Sequence, residues 1–448
     1  MSRTRVLSAL VLVAVAVAFA DSSIVVLALP ELYGRFHTTI EGVSWVITGY
    51  NATVACAALA LVPLAGRVRP AATLLAGLVV FTAASLACAA AGSLSFLIAS
   101  RCVQGLGAAL LLSASLPVLR TLSGSAARAR LEWTLAGTLG ATLGPAIGGV
   151  LTQVFDWRAI FVFQAPVGAL AIVTAIASRH ASSPDEPSEL RPAVWGNVSI
   201  GLVFGALVGV LFLVVLLLVA GWGYSPLGGA AIAMTLPLAS VLARPLEERV
   251  ERVVGTACGA ALLALGLVAL AVLPSDEVLY VVAALALCGA GVGLAVPPLS
   301  SAALAPAAGL RRGGAFTVGV RHLGLVVALA AVAPLLSTDL PAAGHRAELR
   351  ATSVLLDAHI GLGTKIPVAF DLARAFDEGR GGRIPDLAAP FDAHGASHDS
   401  ALASTRDHLM AVVHRIVARS FRRSFLFCSL LAALAALVVL VWRFRWIR

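Results

Sequence analysis

The chain has 448 residues, of which 59% are hydrophobic and only 12% charged, about half the charged share of an ordinary soluble domain. No water-soluble fold can cover that much apolar surface, so a membrane-embedded chain is expected. The formal charge of +9 would suggest a nucleic-acid partner in a soluble protein; in a membrane protein the placement of the positive residues matters more than their sum, and no nucleic acid is expected.

A helix needs about 20 apolar residues to cross a hydrocarbon core of about 30 Å. Twelve stretches meet that length: 6–30, 43–64, 71–92, 94–118, 132–154, 159–178, 195–222, 225–243, 255–273, 277–302, 315–336 and 424–442. The first follows Met-Ser-Arg-Thr-Arg directly and has no small-residue cleavage site. It reads as a retained span and not as a signal peptide.

With the N-terminus placed inside, the termini and inner loops hold Arg3, Arg5, Arg67, Arg69, Arg120, Arg128, Arg130, Arg179, Arg191, Arg244, Arg249, Arg252, Arg311, Arg312, Arg443, Arg445 and Arg448. The short outer loops hold only Arg35 and Arg158. Short basic loops stay cytoplasmic, so both termini are expected inside.

The polar stretch 179–194 has linker composition and separates six spans from six: an N-terminal lobe, 1–178, and a C-terminal lobe, 195–448. Gly105-Leu-Gly107 in the fourth span and Gly291-Val-Gly293 in the tenth suggest that the halves are repeats. The fold class expected is therefore an all-α membrane protein of twelve transmembrane helices in two six-helix lobes.

A second polar stretch, 338–423, falls outside the membrane as an extracytoplasmic insertion before the last helix. Amphipathic pieces are expected at 345–359 and 367–378, and Leu402, Leu409, Val412, Ile416 and Phe421 keep helical spacing toward the last span. A helix over 398–423 should be continuous with that span, with the preceding pieces capping the cavity mouth. Six of the nine histidines lie here, but their spacing matches no metal signature, so a solvated surface is expected and no metal. The six cysteines all fall in apolar runs without a Cys-x-x-Cys pair, which argues against disulfides and zinc.

Inside the spans, charge is rare and costly, and a carboxylate there is by default a functional candidate. Asp21 lies mid-way along the first span; at 1.5 Å per residue it sits about 22 Å above the inner face. Arg101, entering from outside near residue 94, comes to about 20 Å. The two share a level, either as a proton-coupling pair or as a permanent structural ion pair. In the fifth span Gly140, Gly144 and Gly148 recur every four residues beside Pro145 and Gly149, a spacing that lets two helix backbones approach closely, with the proline free to bend the helix. Glu132 stands at the cytoplasmic mouth of that span as a boundary residue. In the eleventh, Arg321 and His322 are a turn or two from the inner face. His322 is either a proton relay, since imidazole titrates near neutrality, or a hydrogen-bonded packing residue.

These residues also match known patterns. Arg101-Cys-Val-Gln104-Gly105-Leu-Gly107-Ala-Ala109 resembles the fourth-span motif of the major facilitator superfamily. Gly144-Pro145-Ala-Ile-Gly148-Gly149 resembles the fifth-span motif of its proton-driven exporters. The stretch Asp21 to Pro30 resembles the first span of the drug:proton antiporter family that usually has fourteen spans, and Asp156-Trp157-Arg158, Gly291-Val-Gly293-Leu-Ala-Val-Pro297-Pro298 and Val320-Arg321-His322-Leu-Gly324 agree with it. Two features depart from that family: Pro63-Leu-Ala-Gly66-Arg67-Val-Arg69-Pro70 lacks the acid of the family's loop between the second and third spans, and twelve spans are counted.

The resemblance implies a secondary transporter, not an enzyme, that exports an amphipathic drug-like compound or natural product from a bacterial plasma membrane by alternating access. Asp21 and Arg101 would couple protons, Gln104, Arg321 and His322 would line the substrate cavity, and Gly140, Gly144, Pro145, Gly148 and Gly149 would pack and gate. The partners implied are a small-molecule substrate, protons and membrane lipids, with the chain a monomer and no cofactor. No P-loop lysine motif, His-Glu-x-x-His or Gly-x-Ser-x-Gly is present, so an ATP-driven pump or membrane hydrolase lacks its machinery. Two alternatives stay open: a lipid or siderophore-like carrier, and a non-transporting scaffold or sensor using its outer segment.

Overall fold

In the computed structural model the described residues are 3–178, 193–247, 249–304, 309–379 and 387–446, and among them there are helices but no strands. The linker expected at 179–194 lies almost wholly outside them. Among the described residues twelve helical stretches are long and apolar enough to cross a membrane, as expected of spans whose backbone groups must bond within the segment.

The first span is compound: α1 (Arg3–Ile24), a 3-10 turn at Val25–Ala28, then α2 (Leu29–Phe36). Pro30 sits in the first turn of α2, where its missing N–H breaks no helical bond. Then follow α3 (Ile40–Leu61), α4 (Pro70–Ala89), α5 (Leu94–Ser123), α6 (Ala126–Val154) and α7 (Arg158–Ala177). Thr39, Ser93 and Ser125 cap α3, α5 and α6 by accepting from Gly42 N at 3.0 Å, Phe96 N at 3.3 Å and Arg128 N at 3.3 Å. Gly124, at φ 70°, ends α5 in the left-handed conformation that allows the tight reversal into α6.

The second half opens with α8 (Val194–Val215), which ends in a π-helical turn at Leu216–Gly221. The eighth span is α9 (Pro226–Ala233) with α10 (Thr235–Glu247), and α11 (Arg252–Ala271) and α12 (Val278–Ala303) follow. The chain continues through α13 (Leu310–Asp357), α14 (Leu362–Gly379), α15 (Ala389–Ala393), α16 (Ser400–Ser420) and α17 (Arg422–Trp446).

Small residues set the packing. A Cβ at Gly107 would overlap the Phe81 backbone of α4, and one at Gly105 would come within 2.5 Å of the Tyr50 carbonyl of α3. In the second half a Cβ at Gly291 would come within 2.5 Å of the Gly259 carbonyl of α11, and one at Gly289 would overlap the Leu236 carbonyl of α10. The two halves therefore use the same crossings, but in these contacts Gly105 and Gly107 correspond to Gly289 and Gly291. The sequence match to Gly291 and Gly293 is shifted by two residues, because Gly293 faces Ser240 of α10. Across the seam, α13 packs on α3 and α5, and α6 packs on α9.

The eleventh span differs from expectation. It does not end at 336 with a separate piece at 345–359; α13 is one helix to Asp357. Pro334 and Pro341 look like terminators, but a proline removes only one helical bond. Here the hydroxyls of Ser337 and Thr338 donate back to the Pro334 carbonyl at 3.0 and 2.9 Å. Flanking support comes from α16, which packs along α13, and from Arg423, whose Nη1 lies 3.3 Å from Asp339 Oδ1. The return helix is interrupted once, at Phe421, so it is nearly but not fully continuous with the last span. Its buried stripe is Leu402, Leu409, Val413 and Val417, with Val412 and Ile416 at its flank. The hairpin is anchored on the second half: Trp222 Nε1 donates to the His414 carbonyl at 3.2 Å, and His414 Nδ1 lies 3.0 Å from Asp276.

Candidate functional site

Asp21 and Arg101 are both fully buried and form an ion pair. The pair follows from the geometry of two helices: α1 brings Asp21 to the turn before its 3-10 segment, and α5 descends from its Ser93 cap to deliver Arg101 at the same depth. A buried charge pair is tolerated only when its remaining donors and acceptors find partners, and here each guanidinium nitrogen has an acceptor. Arg101 Nε donates to the Val46 carbonyl at 2.9 Å, Nη1 to Gln104 Oε1 at 2.7 Å as well as to the carboxylate, and Nη2 to the Asp21 carbonyl at 3.3 Å. The guanidinium also lies over the Tyr50 ring, 4.3 Å from its centroid.

The other carboxylate oxygen accepts from Gln164 Nε2 at 2.5 Å. Gln104 Nε2 in turn donates to Gln164 Oε1 at 2.6 Å and Ser85 Oγ at 2.9 Å. Flanking Asp21, Ser22 donates to Asn51 Oδ1 at 2.8 Å, and Ser23 donates to the Ala141 carbonyl at 2.8 Å. One carboxylate thus ties α1 to α5 and α7, and its neighbours tie it to α3 and α6. Gln164, Ser85 and Asn51 were not singled out from the sequence; as amides and a hydroxyl inside apolar spans they were its available signal.

Of the three residues expected to line the cavity, Gln104 lies in the Asp21 network, one helical turn from Arg101. Arg321 and His322 form a second cluster on α13. The Arg321 guanidinium carbon lies 3.6 Å from the Phe204 ring centroid, 4.1 Å from that of Phe19 and 5.8 Å from that of Trp133. His322 stacks on Phe19 at 5.8 Å, and its Nδ1 lies 2.8 Å from the Val318 carbonyl. Since a carbonyl only accepts, Nδ1 carries a proton, so a neutral ring presents a lone pair at Nε2. Phe19 belongs to α1, Trp133 to α6 and Phe204 to α8, so this cluster closes the centre between the halves.

The glycine stripe of α6 lies on α1. A Cβ at Gly140 would overlap the Ala16 carbonyl, one at Gly144 the Ser23 hydroxyl, and one at Gly148 the Ile24 carbonyl. Gly149 faces the other way, toward Ala230 and the Pro226 carbonyl of α9. Pro145 is buried within the unbroken α6. Glu132 is held at the helix start by Arg128 Nε at 2.7 Å, a boundary pair. Among the described residues no three of His, Cys, Asp or Glu are grouped to hold a metal ion.

A bundle of apolar spans with a buried, hydrogen-bonded charge pair among the described residues is that of a multi-pass membrane protein. The family model described as Major Facilitator Superfamily matches residues 11–334, and the chain belongs to that superfamily. Among characterised relatives, it is 31% identical over 175 residues to "Drug efflux pump JefA" of Mycobacterium tuberculosis, covering 38% of this chain and 34% of that one. It is 32% identical over 235 residues to "Methylenomycin A resistance protein" of Streptomyces coelicolor, covering 51% of this chain and 47% of that one. The chain thus spans about a third to a half of the length of these relatives. The fold is shared with a bacterial homolog of the human lysosomal transporter Spinster in an inward-facing, unoccupied conformation, at a TM-score of 0.61 and 15% identity over 98% of both chains. It is also shared with a D-xylose-proton symporter at a TM-score of 0.59 and 14% identity, covering 74% of this chain and 90% of that one.

Proposed function

We propose that the protein exports an amphipathic small molecule across a bacterial plasma membrane in exchange for protons, by alternating access of its two lobes, as a monomer with both termini cytoplasmic. The observation that carries this reading is the Asp21 network: a fully buried carboxylate whose partners come from α5 and α7. Ionised, Asp21 holds Arg101 and ties three helices together. Protonated, it loses the charge that binds Arg101 and keeps only hydrogen bonds, so one proton changes how α1 sits against its neighbours. Coupling then requires that proton and substrate oppose each other's occupancy, with Asp21 loading from outside and releasing inside as substrate enters. The names of the relatives, a drug efflux pump and an antibiotic resistance protein, support export of a drug-like compound.

The test is proton antiport in everted membrane vesicles, with a pH gradient set by respiration and reported by quenching of 9-amino-6-chloro-2-methoxyacridine. Adding a transported compound is expected to reverse the quench only in vesicles that contain the protein. If compounds exported by the producing cells leave the gradient unchanged, the transport is not proton-coupled.

A further inference from the structure

We propose, resting on the transport reading above, that Arg321 is the anchor for a carboxylate carried on a planar apolar body, and that such aromatic acids are the class of compound the protein moves. Arg101 and Arg321 are equally buried, at 0% and 1% exposure, yet they are treated oppositely. Arg101 has a carboxylate and acceptors for each of its nitrogens. Arg321 has ring faces: Phe204 at 3.6 Å, Phe19 at 4.1 Å and Trp133 at 5.8 Å. Its Nε and Nη2 have no hydrogen-bond partner among the described residues. Ring faces attract a guanidinium but accept no ordinary N–H bond, and arginine cannot shed its charge to suit an apolar site. An anion is the ligand that completes it, and a carboxylate matches its planar donors.

Two more unbonded groups adjoin it. Thr317, one turn earlier on the same face of α13, has its buried Oγ1 without a hydrogen-bond partner among the described residues, as does His322 at Nε2. The site therefore offers N–H donors for a carboxylate and an acceptor and a hydroxyl for a polar substituent, and its ring faces, which the guanidinium and the His322 imidazole cover in this conformation, become walls for a ring system when the seam opens. Its walls come from α1 and α6 of the first lobe and α8 of the second, the seam that alternating access opens. Gly137 keeps room there, since a Cβ would press on the Phe19 ring at 2.8 Å and approach Arg321 Nη1 to 3.5 Å. The fixed positive charge also works against cationic amphiphiles.

The experiment is equilibrium binding by isothermal titration calorimetry to the purified full-length protein in nanodiscs, with no gradient imposed. The probes are 1-naphthoate and its neutral isostere 1-naphthamide. The acid is expected to bind at least tenfold more tightly than the amide. Arg321→Gln is expected to bring the two to equal affinity, and Arg321→Lys to keep part of the preference. Phe204→Leu should weaken both probes while preserving their ratio, and it carries the test together with Arg321→Lys if Arg321→Gln does not fold. The proposal is overturned if the amide binds as tightly as the acid, if 1-naphthoate shows no binding at millimolar concentration, or if Arg321→Gln retains the preference. Dihexanoyl-phosphatidylglycerol displacing 1-naphthoate at or below the concentration of the acid would assign the anion site to lipid headgroups and equally overturn it. A retained acid preference in a protein without proton-driven transport would refute the coupling and leave this assignment standing.

Discussion

At the scale of single residues, the buried Asp21–Arg101 pair holds α1 to α5, and Gln164 holds the same carboxylate to α7. Asp21 and Arg101 stand out because ionised groups inside apolar spans are rare, and helical rise alone put them at one depth. Arg101→Ala leaves a buried carboxylate without its partner, and breaking a buried pair on one side costs about 3–5 kcal/mol unless the acid protonates. Arg101→Lys keeps the charge but loses the fork that reaches Val46, Gln104 and Asp21 together. Thermal melting in detergent and proton-driven transport are both expected to fall in the order wild type, Arg101→Lys, Arg101→Ala; equal behaviour of the two variants would contradict a role for the fork. Gln164→Leu removes the second donor to Asp21 and is expected to lower stability by about 1–3 kcal/mol. The aromatic sleeve of Arg321 was hidden because its rings come from three helices more than a hundred residues away along the chain, and no local pattern encodes that meeting.

At the scale of elements, apolar length located the spans but not the end of the eleventh helix, which runs on to Asp357. Apolar length is a local property, so the twelve stretches were legible; whether Pro334 and Pro341 end a helix depends on α16 packed beside them, which is not. The α6 stripe was readable because its four-residue spacing names a face, though only the structure shows that Gly149 leaves it for α9. Gly140→Val is expected to force α1 and α6 apart at Ala16, with an overpacking cost of about 1–3 kcal/mol and loss of transport. Val150→Ala, on the exposed side of the same helix, should be nearly silent in both assays. Equal effects of the two substitutions would show that the stripe is not a packing surface. Shortening the hairpin between α13 and α16 by removing 345–390 is expected to alter transport while leaving the bundle folded, as read by size-exclusion chromatography; unchanged transport of the true substrate would make the hairpin an idle insertion.

At the scale of the whole molecule, the two-lobed arrangement follows from duplicated crossings, with Gly105 and Gly107 answered by Gly289 and Gly291. The charge network lies within the first lobe and the aromatic sleeve at the seam, and Phe19 and Asp21, two residues apart on α1, leave that helix on different faces. Orientation rests on the arginine distribution: a cysteine placed at Ser188 should be labelled only from the cytoplasm and one at Ser400 only from outside, and labelling of both from one side of intact cells would invert the topology. The central claim is that protonation of Asp21 couples the gradient to export. Asp21→Asn keeps the size and hydrogen bonds of the side chain but fixes it as neutral. The direct measurement is transport by this variant in proteoliposomes, using a compound that discharges the gradient in vesicles of the wild type. Uphill transport driven by a pH gradient is expected to be lost while downhill exchange survives; a wild-type rate with undiminished dependence on the gradient would contradict the account.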